Sequence, residues 1–232
     1  MKILAFACAF ALALFCPHSS WAARTAFQAQ CEDSMAKAVS VLYSTPSGYT
    51  INNTVSFHGL SAMKPGPANT FVLGLTKTES RSTISLKAPM LIDPVSGYEC
   101  VAPRITVALL YSPVVVYVGS EFRPGSCAYQ EILAHEMRHL KTYLDHLPKV
   151  EVTVRAALAR RFNDKPLYAR RGQAMALLQQ ELNTGWAPYI KNEMAKVDPL
   201  QAAIDTPQEY ARLSKVCAGE VQSIVRPANR NR

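Results

Sequence analysis

Two rhythms of apolar residues divide the chain. Between Thr70 and Val118 they alternate or run together in short β-branched stretches, and beyond Ser126 they recur every three to four positions. Alternation puts successive side chains on opposite faces of a strand, whereas the longer spacing lines one face of a helix. Arg104–Tyr111 and Val114–Val118, dense in Val, Ile, Leu and Tyr, carry the strongest strand signals. Pro113 lies between them, where a proline suits an edge or a break. Thr70–Thr76 and Ser82–Leu86 predict a second pair, joined by a polar turn over Lys77–Arg81. Before these, Arg24–Tyr43 has loosely helical spacing and predicts a short helix or an irregular arm. Thr45–Ala68 is rich in Pro, Gly, Ser and Asn and predicts loop, with a short strand over Thr54–Phe57. Lys87–Pro103 reads as loop.

Glu121–Gly125 turns the chain into a helix that opens at Ser126 and runs without Gly or Pro to Leu147. Val150–Phe162 predicts a second helix beyond Pro148. Ala169–Val197 predicts a third, bent near Gly185–Pro188. Thr206-Pro207-Gln208-Glu209 reads as a capping box with proline at the first helical position, opening a last helix to about Val225. Strands first and helices afterwards give an α+β class, with an N-terminal antiparallel or mixed sheet.

The first residues change the picture of where the chain works. Lys2 precedes an apolar run from Ile3 to Phe15, too short to span a bilayer, and Ser20-Trp21-Ala22 supplies small residues for cleavage after Ala22. We therefore expect residues 1–22 to be a signal peptide, 23–226 a single domain and 227–232 a disordered basic tail. The expected location is secreted or periplasmic, with no stable membrane anchor. Cys31, Cys100, Cys127 and Cys217 then remain, and an even number in an exported chain implies two disulfides. Three pairings are possible. Cys100–Cys127 with Cys31–Cys217 is preferred, because it would pin the start of the helix to the β-rich half. The formal charge of +8 becomes +7 without Lys2, 24 basic against 17 acidic residues. Such a balance favours contact with anionic envelope polymers or merely solubility. No motif speaks for nucleic acid. Oligomeric state is not legible.

The chemistry concentrates in His135-Glu136-Met137-Arg138-His139, an HExxH pattern inside the helix. Two histidines four apart stack on one helical face, so their ring nitrogens can converge on one Zn²⁺. Glu136 is rotated aside and can reach a water beside the metal without being a ligand, which suits a general base.

Over Cys127–His146 the chain resembles the zincin superfamily of metallopeptidases, and within it small secreted bacterial zinc-dependent proteases. Arg138 and Lys141 depart from the usual pattern, in which the corresponding positions are uncharged or apolar. The resemblance implies His135 and His139 as zinc ligands, Glu136 as the catalytic carboxylate, and a sheet whose edge strand borders the cleft. Val114–Val118 is the candidate for that strand, able to pair with an extended peptide.

A catalytic zinc takes a third protein ligand. Glu193 falls on the Leu182, Trp186, Tyr189 face of its helix and ranks first; Glu181, Asp145 and Glu151 follow. Asp145 has the spacing of some zincins, but Thr142 stands where those need a glycine to turn the chain. Tyr189 and His146 are the candidates for stabilising an oxyanion. The expected function is a secreted zinc metallopeptidase acting on peptide or protein substrates. The alternatives are a peptidoglycan or amide hydrolase with the same chemistry, and a non-catalytic zincin-like envelope binding or assembly factor.

Overall fold

The structure is a computed structural model and describes residues 24–34, 39–43, 48–65 and 70–225. The expected leader over 1–22 and tail over 227–232 lie outside the described residues. The architecture is mixed α/β, with strands concentrated before Val118 and helices after it.

The long strand β6 (Arg104–Val118) is the axis of the main sheet. β3 (Gly74–Lys87) runs antiparallel along nearly its whole length. β1 (Val39–Tyr43) and β2 (Thr50–Asn52) lie parallel to it, end to end on its other edge. The two strands expected on either side of Pro113 are therefore one. Ile105, Val107, Leu109 and Tyr111 point into the core, and after Pro113 the buried set becomes Val114, Val116 and Val118. The change of parity is a bulge: Thr78 pairs with Val114 and Ser80 with Tyr111, so Ser112 and Pro113 oppose Glu79 alone. A bulge is where a strand tolerates a residue without an N–H. Opposite it, the turn expected over Lys77–Arg81 is continuous strand. Val114–Val118 is consequently central, and not the edge strand expected. Around Thr54–Phe57 there is no strand; α2 (Phe57–Met63) begins there, capped by Ser56, whose Oγ accepts from the Gly59 N–H at 3.1 Å.

Across this sheet lies α3 (Cys127–Phe162), 36 residues long. The two helices expected on either side of Pro148 are merged. Proline inside a helix costs about 3 kcal/mol. Val150, Val154, Leu158 and Phe162 continue the buried face that Leu140 and Leu147 begin. Burying each contributes roughly 1.5–3 kcal/mol, which outweighs the proline.

The expected loop over Lys87–Pro103 contains β4 (Met90–Ile92) and β5 (Tyr98–Val101), which form a second sheet with β7 (Leu167–Arg170). Beyond it, α4 (Ala174–Glu181) starts later than expected. Its first turn is held by the buried carboxylate of Glu99, which accepts from Gly172 N–H at 2.8 Å and Ala174 N–H at 2.5 Å. A π turn over Leu182–Trp186 leads into α5 (Ala187–Ala195). Short helices α6 (Val197–Ala202), α7 (Pro207–Lys215) and α8 (Glu220–Val225) complete the described chain, with α1 (Ala26–Asp33) at its start.

The disulfides are Cys31–Cys100, joining α1 to β5, and Cys127–Cys217, joining the first residue of α3 to the stretch between α7 and α8. This corrects the preferred pairing: Cys100 is anchored in the small sheet, with α1 against it. Two bridges agree with an oxidising or extracellular location. Among the described residues no helix is long and apolar enough to cross a membrane.

Candidate metal centre

Ser126 caps α3 by accepting the Tyr129 N–H at 3.2 Å, and Ile132 and Leu140 seat the following turns in apolar surroundings. His135, Glu136 and His139 lie between those two anchors and are all buried. Opposite them arrives Asp205, from the connection between α6 and α7. Its Oδ1 stands 3.2 Å from His135 Nε2 and 3.1 Å from His139 Nε2, and the two Nε2 atoms are 3.2 Å apart. Three ligand-type atoms thus form one small triangle, and these residues make a group able to hold a metal ion.

The outer faces of both rings have partners too. Gln201 Oε1 lies 2.6 Å from His139 Nδ1, while Gln201 Nε2 donates to the His139 carbonyl at 3.2 Å. The second bond fixes the amide's orientation, so the atom facing Nδ1 is an acceptor and Nδ1 carries the hydrogen. In a neutral ring His139 Nε2 is then a bare lone pair. Glu209 Oε1 lies 3.3 Å from His135 Nδ1. The same carboxylate oxygen accepts from Arg138, whose guanidinium stands 2.8 Å from that ring nitrogen. Lone pairs and a carboxylate oxygen facing one another repel unless a cation or a shared proton sits between them. Zinc bound to nitrogen and oxygen at about 2.0–2.1 Å in a tetrahedron spaces its ligand atoms by ~3.3–3.4 Å. The observed 3.1–3.2 Å is about 0.1–0.2 Å tighter than that spacing, so the three atoms stand close enough together to share one small metal ion.

Charge and burial act on each group differently. Burial raises the pKa of Glu136 against the opposing pull of His139, His135 and the Thr76 hydroxyl. Burial would also raise Asp205, but hydrogen bonds from His135, His139 and Lys64 together hold it well below the carboxylate range. For His139 burial is the largest influence and lowers the pKa, yet Asp205, Gln201 and Glu136 outweigh it and the net shift is upward. Glu209 is lowered to about 2, chiefly by Arg212. Tyr210 is pushed up to about 12, first by burial and then by Asp205 and Glu136, so it stays a donor at neutral pH.

A cleft of about 1100 Å³ opens above the triangle. Its floor is α3, from Ile132 to Tyr143; one wall is residues 70–76, and the other comes from α7 and α8, including Tyr210, Leu213 and Val221. The Thr76 hydroxyl lies 2.9 Å from Glu136 Oε2 and from the Glu136 carbonyl, and can donate to either. Gly74 lies against the same side chain.

The expected third ligand, Glu193, is not in this cluster. Its carboxylate is held by Lys196, with both oxygens 2.7 Å from Nζ. Its neighbour on α3 is His146, not His139, and those two positions are seven residues apart, about 10 Å along a helix. The other candidates are also taken: Glu181 by Arg161 at 2.6 Å, Asp145 by Lys141 at 2.5 Å and Glu151 by Arg155 at 2.7 Å. His146 Nδ1 meets the Tyr111 hydroxyl at 3.0 Å, and Tyr189 packs on Trp186; neither lines the cleft. Sequence reasoning missed Asp205, Gln201 and Tyr210, and gave Glu209 to the helix cap. Thr206 does cap α7, accepting from Glu209 N–H at 3.1 Å, but the Glu209 side chain turns to His135 and two arginines. An acid directly before the Thr206-Pro207 cap was the one available signal for Asp205.

The chain matches no family model, no curated protein and no solved structure.

Proposed function

We propose that the protein is an exported zinc-dependent hydrolase, and that its substrate is a peptide or protein chain. The observation that carries this reading is the convergence of His135 Nε2, His139 Nε2 and Asp205 Oδ1 within 3.1–3.2 Å, beside a buried carboxylate that is not part of the triangle. His135, His139 and Asp205 would hold the ion. When bound, zinc supplies Lewis acidity and lowers the pKa of water towards neutrality. Glu136 takes the proton of the attacking water and passes it to the leaving amine; its raised pKa suits a group that must hold that proton in transit. Thr76 holds the carboxylate in place. Tyr210 stands at the cleft wall as a protonated donor for the developing oxyanion.

The arrangement also supports the zincin-like reading of the fold, a sheet leading into an HExxH helix. β3 pairs with β6 on one edge and with no other described strand. Its first residues line the cleft, so an extended substrate can add to this edge. β3 thereby takes the role expected of Val114–Val118. Presence of a third donor favours catalysis over a binding-only role. The two disulfides support an exported setting.

The test is Glu136→Gln. It keeps size and hydrogen bonding but removes the base, so zinc binding persists while turnover of a broad peptide library falls by roughly 10²-fold or more. Undiminished cleavage by this variant would refute the mechanism. Cleavage of cell-wall fragments and not of peptides would move the assignment to the envelope polymer.

A further inference from the structure

The metal triangle is built across a seam. His135 and His139 belong to α3, whereas Asp205, Gln201 and Glu209 reach them from one short stretch of later chain. That stretch, with α7 and α8, is a clasp laid over the metal face of α3. Its own apolar anchorage is small: Leu213 is the one buried residue of α7, and α8 adds Val221, with the half-buried Ile224 and Val225, to the smaller core cluster at the start of α3. Its ion pairs to the rest of the chain, Arg212 with Glu131, Glu209 with Arg138 and Asp205 with Lys64, each include a side chain 44–56 % exposed, and such pairs hold weakly in water. The covalent fastener is Cys127–Cys217, supported beside it by Glu220, which accepts the Ala128 N–H at 3.0 Å.

The two disulfides differ in a way that matters for this clasp. Cys31 and Cys100 are each 1 % exposed. Cys127 is exposed and Cys217 half-buried, so an external reductant reaches the second bridge first. Backbone conformation adds to the contrast. Cys217 and Ala218 both adopt left-handed φ values, 63° and 51°, which residues with a Cβ avoid unless something holds them there. Opening the bridge lets that turn relax and frees the clasp to move.

Resting on the metal reading above, we propose that Cys127–Cys217 is a redox gate on the metal site: the chain holds its metal tightly only when this bridge is closed. The step is a two-electron reduction. A dithiol reductant breaks the S–S bond and delivers two electrons and two protons; Cys127 and Cys217 become thiols and the dithiol closes to its own disulfide. Asp205, Gln201 and Glu209 then leave His135 and His139 for part of the time, and the apparent affinity falls by the fraction of time the clasp is docked. For an exported hydrolase the consequence is latency. In a reducing compartment the site is loose, and it sets once the bridge forms outside.

Two measurements on the full chain test this. In Cys127→Ser/Cys217→Ser, which removes thiols that would themselves bind zinc, chelator competition is expected to show zinc affinity lowered by ~10- to 100-fold, as for a clasp docked one-tenth to one-hundredth of the time. In the wild type treated with a phosphine, which becomes the phosphine oxide as water supplies its oxygen, hydrogen exchange of metal-free protein is expected to quicken over residues 205–225 and not in the α3 core. Affinity of the serine variant within twofold of the wild type would overturn the proposal. So would unchanged exchange over 205–225 after reduction, which decides the matter if the serine variant does not fold. Absence of zinc binding in the oxidised wild type is a different result: it refutes the metal reading, while the exchange experiment still reports on the clasp.

Discussion

Gly74→Ala adds one methyl group at the point where the sheet edge meets the Glu136 side chain. A Cβ built at Gly74 would stand 2.7 Å from Ile132 Cγ2 and 2.8 Å from both Cγ and Oε1 of Glu136. Ordinary contact begins at 3.4 Å, so about 0.7 Å must be found. Gly74 does not occupy the left-handed region, and alanine meets no backbone obstacle; the whole penalty is contact. Ile132 is β-branched, stiff at χ1 and 2 % exposed, so its contact is relieved only by moving β3 away from α3, and the Glu136 side chain is displaced relative to the strand in the same movement. Overpacking of this kind costs about 1–3 kcal/mol. At about 2–4 °C per kcal/mol for a domain of this size, Tm falls by roughly 2–12 °C. Misplacing a reacting group by about 1 Å can cost 10²-fold, so turnover should drop by roughly ten- to a hundredfold. Zinc affinity should hold, because Glu136 is not in the triangle. Thermal unfolding, zinc titration and peptide turnover on one preparation give all three numbers. Gly185→Ala is the control: it meets nothing within 4 Å, lies in the π turn, and should be neutral or stabilising by about 0.5–1 kcal/mol. A Gly74→Ala protein with wild-type Tm and turnover would refute the placement of Glu136 against β3.

Two further outcomes follow from the polar contacts. Glu99→Gln should lower Tm at neutral pH and lose its effect in acid. Hydrogen bonds from the Ala174 and Gly172 amides depress the Glu99 pKa below its usual 4.5, so its stabilisation is full above that pH and disappears as pH falls through the folded value; a Tm difference independent of pH from 7 to about 2 would contradict this. Thr206→Ala and Glu209→Gln should separate capping from metal support. The first should cost about 1 kcal/mol of stability with zinc affinity intact, and the second should weaken zinc roughly tenfold or more with little change in Tm, both read by thermal unfolding and chelator competition.

What the sequence revealed divides along the distance between residues. His135, Glu136 and His139 lie within one helical turn or so of one another, so their spacing alone put them on one face. Asp205 lies 66 residues beyond His139, and only tertiary packing brings it there. Glu193 lies outside the cluster, and the sequence could not say so, because a face of a helix says nothing about what opposes it; that face meets α3 near His146, and Lys196 takes the charge. The strong apolar signal of β6 was legible, but the bulge that carries it past Pro113 depends on pairing with β3. Pro148 similarly reads as a helix end locally, and the core face on both sides of it overrides that reading. Disulfide pairing was the least accessible feature, since four cysteines constrain it only through the finished fold.

The most direct test of the metal centre compares two carboxylate-to-amide changes. Zinc is measured per chain by elemental analysis, and affinity by chelator competition, in the wild type, Asp205→Asn and Glu193→Gln. The wild type should bind one zinc ion, Asp205→Asn should bind at least about tenfold more weakly because an amide is a poorer donor, and Glu193→Gln should match the wild type. A wild type without zinc, or a loss of affinity in Glu193→Gln with Asp205→Asn unaffected, would contradict the assignment of His135, His139 and Asp205.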